Sequence, residues 1–172
     1  PRITWSVARA ESSGLPPDSV DLITVAQAAH WFDLDAFYAE ARRVLRPKGV
    51  LALWTYGVHI FHDAAIDALA HELYEKTVGP YWPPERKHCE DGYRSLPFAF
   101  PEIVPPAFEM KERWTLPQLL GYLRSWSATS RYVQAKGVDP VEPFGKALEP
   151  LWGEGARVVG WPLRLRVRRK TR

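Results

Sequence analysis

The sequence predicts an α/β chain built around one strand–helix–strand unit, and three observations carry that reading. Val20–Ala26 is a short, mostly apolar run with β-branched residues, the composition of a strand covered on both faces. From Asp33 the apolar period becomes helical, with Leu34, Phe37, Tyr38, Ala41, Val44 and Leu45 on one face and Asp33 at the N-cap. Pro47 and Gly49 then stop the helix, and Val50–Tyr56 is a second apolar strand. Such tight connections make the strands parallel with a right-handed crossover. Ligands of these sheets lie beyond the carboxyl ends of the strands, which points to Gln27–Phe32 and Tyr56–His59.

With 172 residues, 46% of them apolar and 25% charged, the chain can build one domain with a sizeable core and reads as soluble and globular. No run is long enough to span a bilayer and no leader pattern is visible, so a cytoplasmic location is expected. Eight Trp point to aromatic-walled cavities as well as core. The lone Cys89 excludes an internal disulfide and a Cys-rich metal site. His59 and His62 have a metal-like spacing but no third ligand nearby, so no metal is expected. The net charge of +3 hides an uneven distribution. Six of the 23 basic residues (Arg164, Arg166, Arg168, Arg169, Lys170, Arg172) crowd an acid-free tail, leaving 17 against 20 acids elsewhere. Leu163, Leu165 and Val167 alternate with the arginines, which predicts a last strand with a solvated basic face rather than a nucleic-acid stripe.

In chain order, Ile3–Val7 is a short strand candidate and Ser12–Ser19 a loop. A helix is predicted over 63–78, ended by Gly79-Pro80. The stretch 80–107 holds seven of the 16 prolines, with Tyr81, Trp82, Tyr93, Phe98 and Phe100. Proline denies it regular ladders while the aromatics need cover, so it reads as an ordered loop, either a lid or an insertion packed on the sheet edge. Phe108–Trp114 is a strand, and Thr115 with Gln118 forms a capping box. That helix continues through Trp126 to Ser130-Arg131-Tyr132, and Asp139 with Glu142 opens another helix with a second box. Val158–Val167 closes the sheet, broken at Gly160-Trp161-Pro162.

The ordered elements Asp21-Leu22-Ile23-Thr24, Ala26-Gln27-Ala28-Ala29-His30-Trp31-Phe32-Asp33 and Arg43-Val44-Leu45-Arg46-Pro47-Lys48-Gly49, behind Ala10-Glu11 and Leu15-Pro16, resemble the class I S-adenosylmethionine-dependent methyltransferases. More narrowly they resemble the type 11 group, in the branch that includes trans-aconitate methyltransferases. The resemblance implies a Rossmann-like sheet ordered 3-2-1-4-5-7-6, in which Ile3–Val7 is the third strand. It implies S-adenosylmethionine as cofactor, with the chain passing the adenine at Ala10 and Glu11 and with Gln27 and Ala28 facing the cofactor. Glu11 is either an adenine contact or a solvated loop acid, and Trp31 either walls the adenine or substrate pocket or plugs the helix start. No Gly-x-Gly run precedes the strand–helix–strand unit, and the ribose-binding acid has no counterpart. The sequence therefore reads as N-terminally truncated, with residues 1–79 the remainder of the cofactor-binding core, 80–107 the loop or lid, and 108–172 the C-terminal strands and substrate-side helices.

Methyl transfer from a sulfonium is an in-line displacement whose main demand is positioning in a dry pocket. His30 is a candidate base, or a structural hydrogen-bonder that packs and caps. An acceptor of the trans-aconitate kind is a small carboxylic acid, already ionised, and needs a guanidinium fork. Arg131 beside Tyr132 offers one, with Trp126 as wall and His30 on the substrate side; a plain surface arginine is the alternative. Two other readings stand beside a small-molecule methyltransferase. One is a catalytically incomplete fragment that acts as a protein-interaction module, self-associating through a bared sheet edge. The other is a nucleic-acid binder, against which the tail's strand pattern speaks. No membrane partner is expected.

Overall fold

A computed structural model describes residues 3–97 and 102–171. In chain order the elements are β1 (Val20–Ala26), a 3-10 turn (Ala29–Trp31), α1 (Leu34–Val44), β2 (Leu45–Tyr56), α2 (Ala64–His71) running on as a π turn (Glu72–Thr77), a 3-10 turn (Gly79–Tyr81), α3 (Arg86–Glu90) and β3 (Glu102–Ile103). Then come β4 (Phe108–Thr115), α4 (Leu116–Arg124), α5 (Ser127–Lys136), α6 (Val141–Trp152) and β5 (Ala156–Arg169). Two units are assembled from these: Pro1–Tyr56 with Lys87–Ala107 and Leu163–Arg172, and Gly57–Arg86 with Phe108–Pro162. The stretch 80–107 is thus divided between them. Its Phe98 and Phe100 lie outside the described residues.

The first unit is α/β, Rossmann-like, with a mixed sheet in the order β1-β2-β5-β3. β1 and β2 pair in parallel, Leu22 opposite Val50 through Ala26 opposite Trp54. β2 and β5 pair antiparallel, Val50 opposite Arg169 through Tyr56 opposite Leu163. That sequence of neighbours is the 4-5-7 part of the expected sheet. Asp33 Oδ1 accepts from Ala36 N–H at 3.2 Å and caps α1, whose Phe37, Tyr38, Ala41 and Val44 are buried. Phe37, Tyr38 and Ala41 share one core with Val25, Leu51, Leu53, Cys89, Tyr93 and Leu96. Each fully buried leucine of β2 contributes about 1.5–3 kcal/mol.

Four expectations for this unit are corrected. Ile3–Val7 forms no strand: nothing described pairs with it, and Trp5 and Val7 stand in solvent, since a lone extended run leaves its ladder groups unpaired. β1 is not covered on both faces, because Asp21, Leu22 and Thr24 are exposed. β2 begins at Leu45 rather than Val50, a bulge between Val20 and Leu22 letting the ladder start earlier. The tail's basic face is only partly solvated: Arg164 is exposed, but Arg166 and Arg168 are covered. Arg166 and Arg168 side chains are only 12% and 14% exposed and ion-pair with Glu102 at 3.3 and 3.1 Å. Arg166 also donates to the carbonyls of Tyr93 and Leu96, the latter at 2.8 Å. Cys89, Tyr93 and Leu96 share the core of the β2 leucines, and the Tyr93–Leu96 stretch covers Arg166.

The second unit is helical with β4 paired to β5. The Thr115–Gln118 box forms, Thr115 N–H donating to Gln118 Oε1 at 2.8 Å. The expected long helix breaks at Ser125–Trp126. The buried Thr129 hydroxyl donates to Leu123 C=O at 2.8 Å, so the end of α4 is satisfied without a further turn, and Trp126 is extended (ψ 137°). Asp139 accepts from Val141 N–H at 2.9 Å, but Glu142 turns to Lys146 at 2.8 Å and the second box does not close. β5 runs unbroken through Gly160-Trp161-Pro162, with Gly160 bridged to Ile60. At Gly145 on α6 a Cβ would meet Leu120 Cδ1 at 2.9 Å, so glycine lets α4 and α6 approach closely. Among the described residues no helix is long and apolar enough to cross a membrane.

The core of this unit is aromatic and encloses a histidine. His59 is 3% exposed, with the rings of Phe61 at 4.9 Å, Trp126 at 5.7 Å, Tyr122 at 6.0 Å and Trp161 at 6.4 Å. Among the described residues neither of its ring nitrogens has a hydrogen-bond partner. Burial pushes its pKa down from 6.5 to about 4, with Asp67 opposing the shift. The unfolded chain therefore binds a proton near pH 6.5 that the folded unit refuses until about pH 4. Above that window proton linkage adds no penalty, and stability falls as pH drops through it, by about 3 kcal/mol in all. We expect His59→Phe to remove this slope: followed by tryptophan fluorescence in urea, the variant equals or exceeds the wild type near pH 4 and keeps its stability from neutrality down. Parallel pH dependences in the two proteins would contradict the assignment.

Candidate functional site

The carboxyl end of β1 is held in place by Gln27. Its backbone is in the left-handed region (φ 51°), unusual for a residue with a side chain, and its N–H donates to Trp54 C=O at 2.9 Å. Gln27 Oε1 accepts from Thr55 Oγ1 at 2.6 Å and from Tyr56 N–H at 3.0 Å. The side-chain amide thus extends the β1–β2 ladder past the last paired residue. Both the side-chain oxygen and the backbone N–H of Gln27 are therefore engaged within the sheet.

Ala28 follows, and with Ala10 it lines an apolar cavity of about 330 Å³ beside β1, together with Ile23, Ala26, Phe32 and Phe37. Of the expected cofactor-facing residues, the structure brings these two together. Glu11 lies nearby in the chain, but its carboxylate accepts from Asp33 N–H at 3.0 Å and pairs with Arg9 at 3.5 Å. Its own and Asp33's backbone N–H groups, with Arg9 adding less, hold its pKa below the ordinary carboxylate value. Glu40, on the cavity wall, is likewise engaged by Arg43 and by Ser13, which push its pKa down to about 2. Trp31 is 61% exposed, tilted against the His30 ring at 4.7 Å, and is not among the residues lining this cavity.

His30 sits in the 3-10 turn after β1, half-buried. Its Nδ1 is 3.0 Å from the Tyr93 hydroxyl and 3.4 Å from Cys89 Sγ. Tyr93 is fully buried, and burial raises its phenol pKa, with the Cys89 thiol adding to the shift. From the sequence, Tyr93 and Cys89 belonged to a proline-rich loop, and no spacing ties residue 93 to residue 30. The single available signal was the need of those loop aromatics for cover.

The other expected residues belong to the second unit. Trp126 packs against Trp82 at 5.4 Å and Tyr74 at 5.7 Å as well as His59. Tyr132 meets Tyr81 edge-on at 5.1 Å, and the exposed Arg131 reaches Tyr81 C=O at 3.5 Å. His62 pairs with Glu109 at 3.5 Å. Among the described residues no three His, Cys, Asp or Glu side chains are grouped to hold a metal ion.

The family described as a methyltransferase domain (type 11) matches residues 1–53. A solved structure from Anaeromyxobacter dehalogenans, provisionally described as a type II methyltransferase, superposes with a TM-score of 0.93. It is 48% identical, over 98% of this chain and 72% of that one. A Dictyostelium discoideum protein provisionally named a methyltransferase is 37% identical over 148 residues, 85% of this chain and 56% of that protein. This chain therefore spans little more than half the length of that curated relative. A Saccharomyces cerevisiae protein, provisionally named an S-adenosylmethionine-dependent methyltransferase, is 36% identical over 44 residues, 26% of this chain and 15% of its own. Strand order, the capped strand–helix–strand unit and these likenesses agree, and the chain belongs to the class I S-adenosylmethionine-dependent methyltransferases.

Proposed function

We propose that this chain takes part in methyl transfer from S-adenosylmethionine to a small-molecule acceptor. The observation that carries the reading is the likeness to a methyltransferase structure along nearly the whole chain. The apolar cavity lined by Ala10, Ala28 and Phe32 suits the adenine, a flat group with little need of charge. When bound, the cofactor supplies an electrophilic methyl group on a sulfonium. The chain's own residues wall the adenine side, and Gln27 fixes the strand end that faces it. Glu11 acts in this reading by holding the start of α1 through Asp33 N–H, with the backbone at Ala10 nearest the adenine.

The fit extends to the adenine side alone. The acids beside the cavity, Glu11 and Glu40, are already engaged within the chain, so neither is offered to a ribose or an ammonium group. We infer that the 172 residues by themselves bind the cofactor weakly and are inactive. A protein-interaction module is the second reading. It is favoured by one observation, the edge strand β1, whose Leu22 is 54% exposed. Calorimetry and sedimentation of the chain alone should show no saturable S-adenosylmethionine binding tighter than about 1 mM, and a mass that grows with concentration. A monomer with micromolar affinity would overturn both inferences.

The acceptor we propose is a small carboxylic acid, as in the trans-aconitate branch. Among the described residues the exposed Arg131 makes only a long contact to Tyr81 C=O, which leaves a planar fork for a carboxylate, and Tyr132 and Trp126 offer apolar walls. A carboxylate is ionised at neutrality and needs no base to become a nucleophile. In the cofactor-competent protein, Arg131→Lys is expected to raise the KM for an acidic acceptor about tenfold with kcat little changed, since lysine cannot bind it in two-pronged fashion. Unchanged kinetics across several acidic acceptors would remove Arg131 from the site.

A further inference from the structure

Tyr93 has more holding it in place than packing requires. Its backbone is left-handed at φ 63°, a conformation that is costly for a residue with a side chain and persists only where the surroundings impose it. They do so here: its N–H donates to His88 C=O at 2.7 Å, and its C=O accepts from Leu96 N–H at 3.2 Å and from the Arg166 guanidinium. Phenylalanine would fill the same core position between Cys89 and Leu96. The hydroxyl is the surplus feature, and it lies 3.0 Å from His30 Nδ1.

We propose that Tyr93 is a positioning residue for His30, donating its hydroxyl proton to Nδ1 so that neutral His30 carries its own proton on Nε2. The proton count supports this direction. Burial keeps the phenol protonated, and a buried O–H left without an acceptor is destabilising. Thr55 and the backbone of Ala29 also face the hydroxyl. The imidazole nitrogen is the more basic acceptor, and it lies at hydrogen-bond distance. Cys89 Sγ, at 3.4 Å from Nδ1 and 3.9 Å from Nε2, is a weak donor that competes poorly with a phenol.

The chemical consequence is sharp. In this tautomer Nδ1 is occupied by a donated proton and Nε2 already bears one, so neutral His30 has no lone pair with which to act as a general base. Any hydrogen bond made through Nε2 is one that His30 donates. The inference rests on the proposed methyl transfer, with His30 on the acceptor side, and it agrees with an acceptor that arrives already ionised.

The tautomer can be read directly. In the full 172-residue chain labelled with ¹⁵N-histidine, long-range proton–nitrogen correlation in mildly alkaline buffer distinguishes a protonated from an unprotonated ring nitrogen, and loss of signals in His30→Gln assigns the residue. We expect a single pattern for His30, Nδ1 bare and Nε2 protonated. Tyr93→Phe should replace it with an averaged pattern of both tautomers, while Cys89→Ser keeps it. A proton on Nδ1 in the wild type, or a Tyr93→Phe spectrum identical to the wild type, overturns the proposal. The wild-type spectrum decides by itself should the variant fail to fold. No methyl transfer is involved in the readout, so an adverse result removes the role of Tyr93 and leaves the proposed reaction to the calorimetry and kinetics.

Discussion

The largely covered guanidinium of Arg166 is the constraint on which the first unit depends. It lies in the β2–β5 ladder opposite Leu53, with a side chain only 12% exposed. A cation taken out of water must be matched at once, and losing its partners costs about 3–5 kcal/mol. The partners are the carbonyls of Tyr93 and Leu96 and the carboxylate of Glu102. Because two of them are backbone groups, Arg166 fixes a path as well as a charge. It draws the 93–96 stretch onto the sheet, and that stretch brings Tyr93 to His30. A one-residue slip of β5 would turn Arg166 to the other face and undo the whole arrangement.

The same physics explains why Gln27 matters at the opposite end of β1. There the ladder has run out, and a side-chain amide replaces the next backbone group by accepting from Thr55 and Tyr56. The strand end is held firm by the side chain and the backbone N–H of Gln27 together. Glu11 works in a similar way, satisfying Asp33 N–H where α1 begins. Gln27 and Glu11 are thus the polar residues that shape the chain ends on either side of the turn between β1 and α1.

What was legible in the sequence was local. β1, α1 and the Thr115–Gln118 box follow from period, capping and propensity, and the structure has them where those signals lie. The strand character of the tail was equally readable from its alternation. Its solvation was not, because the cover over Arg166 and Arg168 comes from residues about seventy positions earlier. The α4–α5 break escaped for the same reason, since it depends on the Thr129 hydroxyl and on the aromatic neighbours of Trp126. Ile3–Val7 shows the converse: apolar residues of strand-like composition form no strand without a partner. Within the site, Ala10 and Ala28 were placed by the resemblance and do share a cavity, whereas Tyr93 reaches His30 across 63 positions that no spacing rule bridges.

The central claim is that Arg166 holds the Tyr93–Leu96 segment on the sheet and through it the His30 environment. Native-state hydrogen exchange tests it most directly, because the Tyr93 and Leu96 amides are bonded within that segment, to His88 and Tyr93 carbonyls. In Arg166→Met both amides are predicted to lose at least about a hundredfold of their protection, while the Gln27 amide, bonded to Trp54 C=O, keeps its own. Unchanged protection at Tyr93 and Leu96 in that variant would contradict the account.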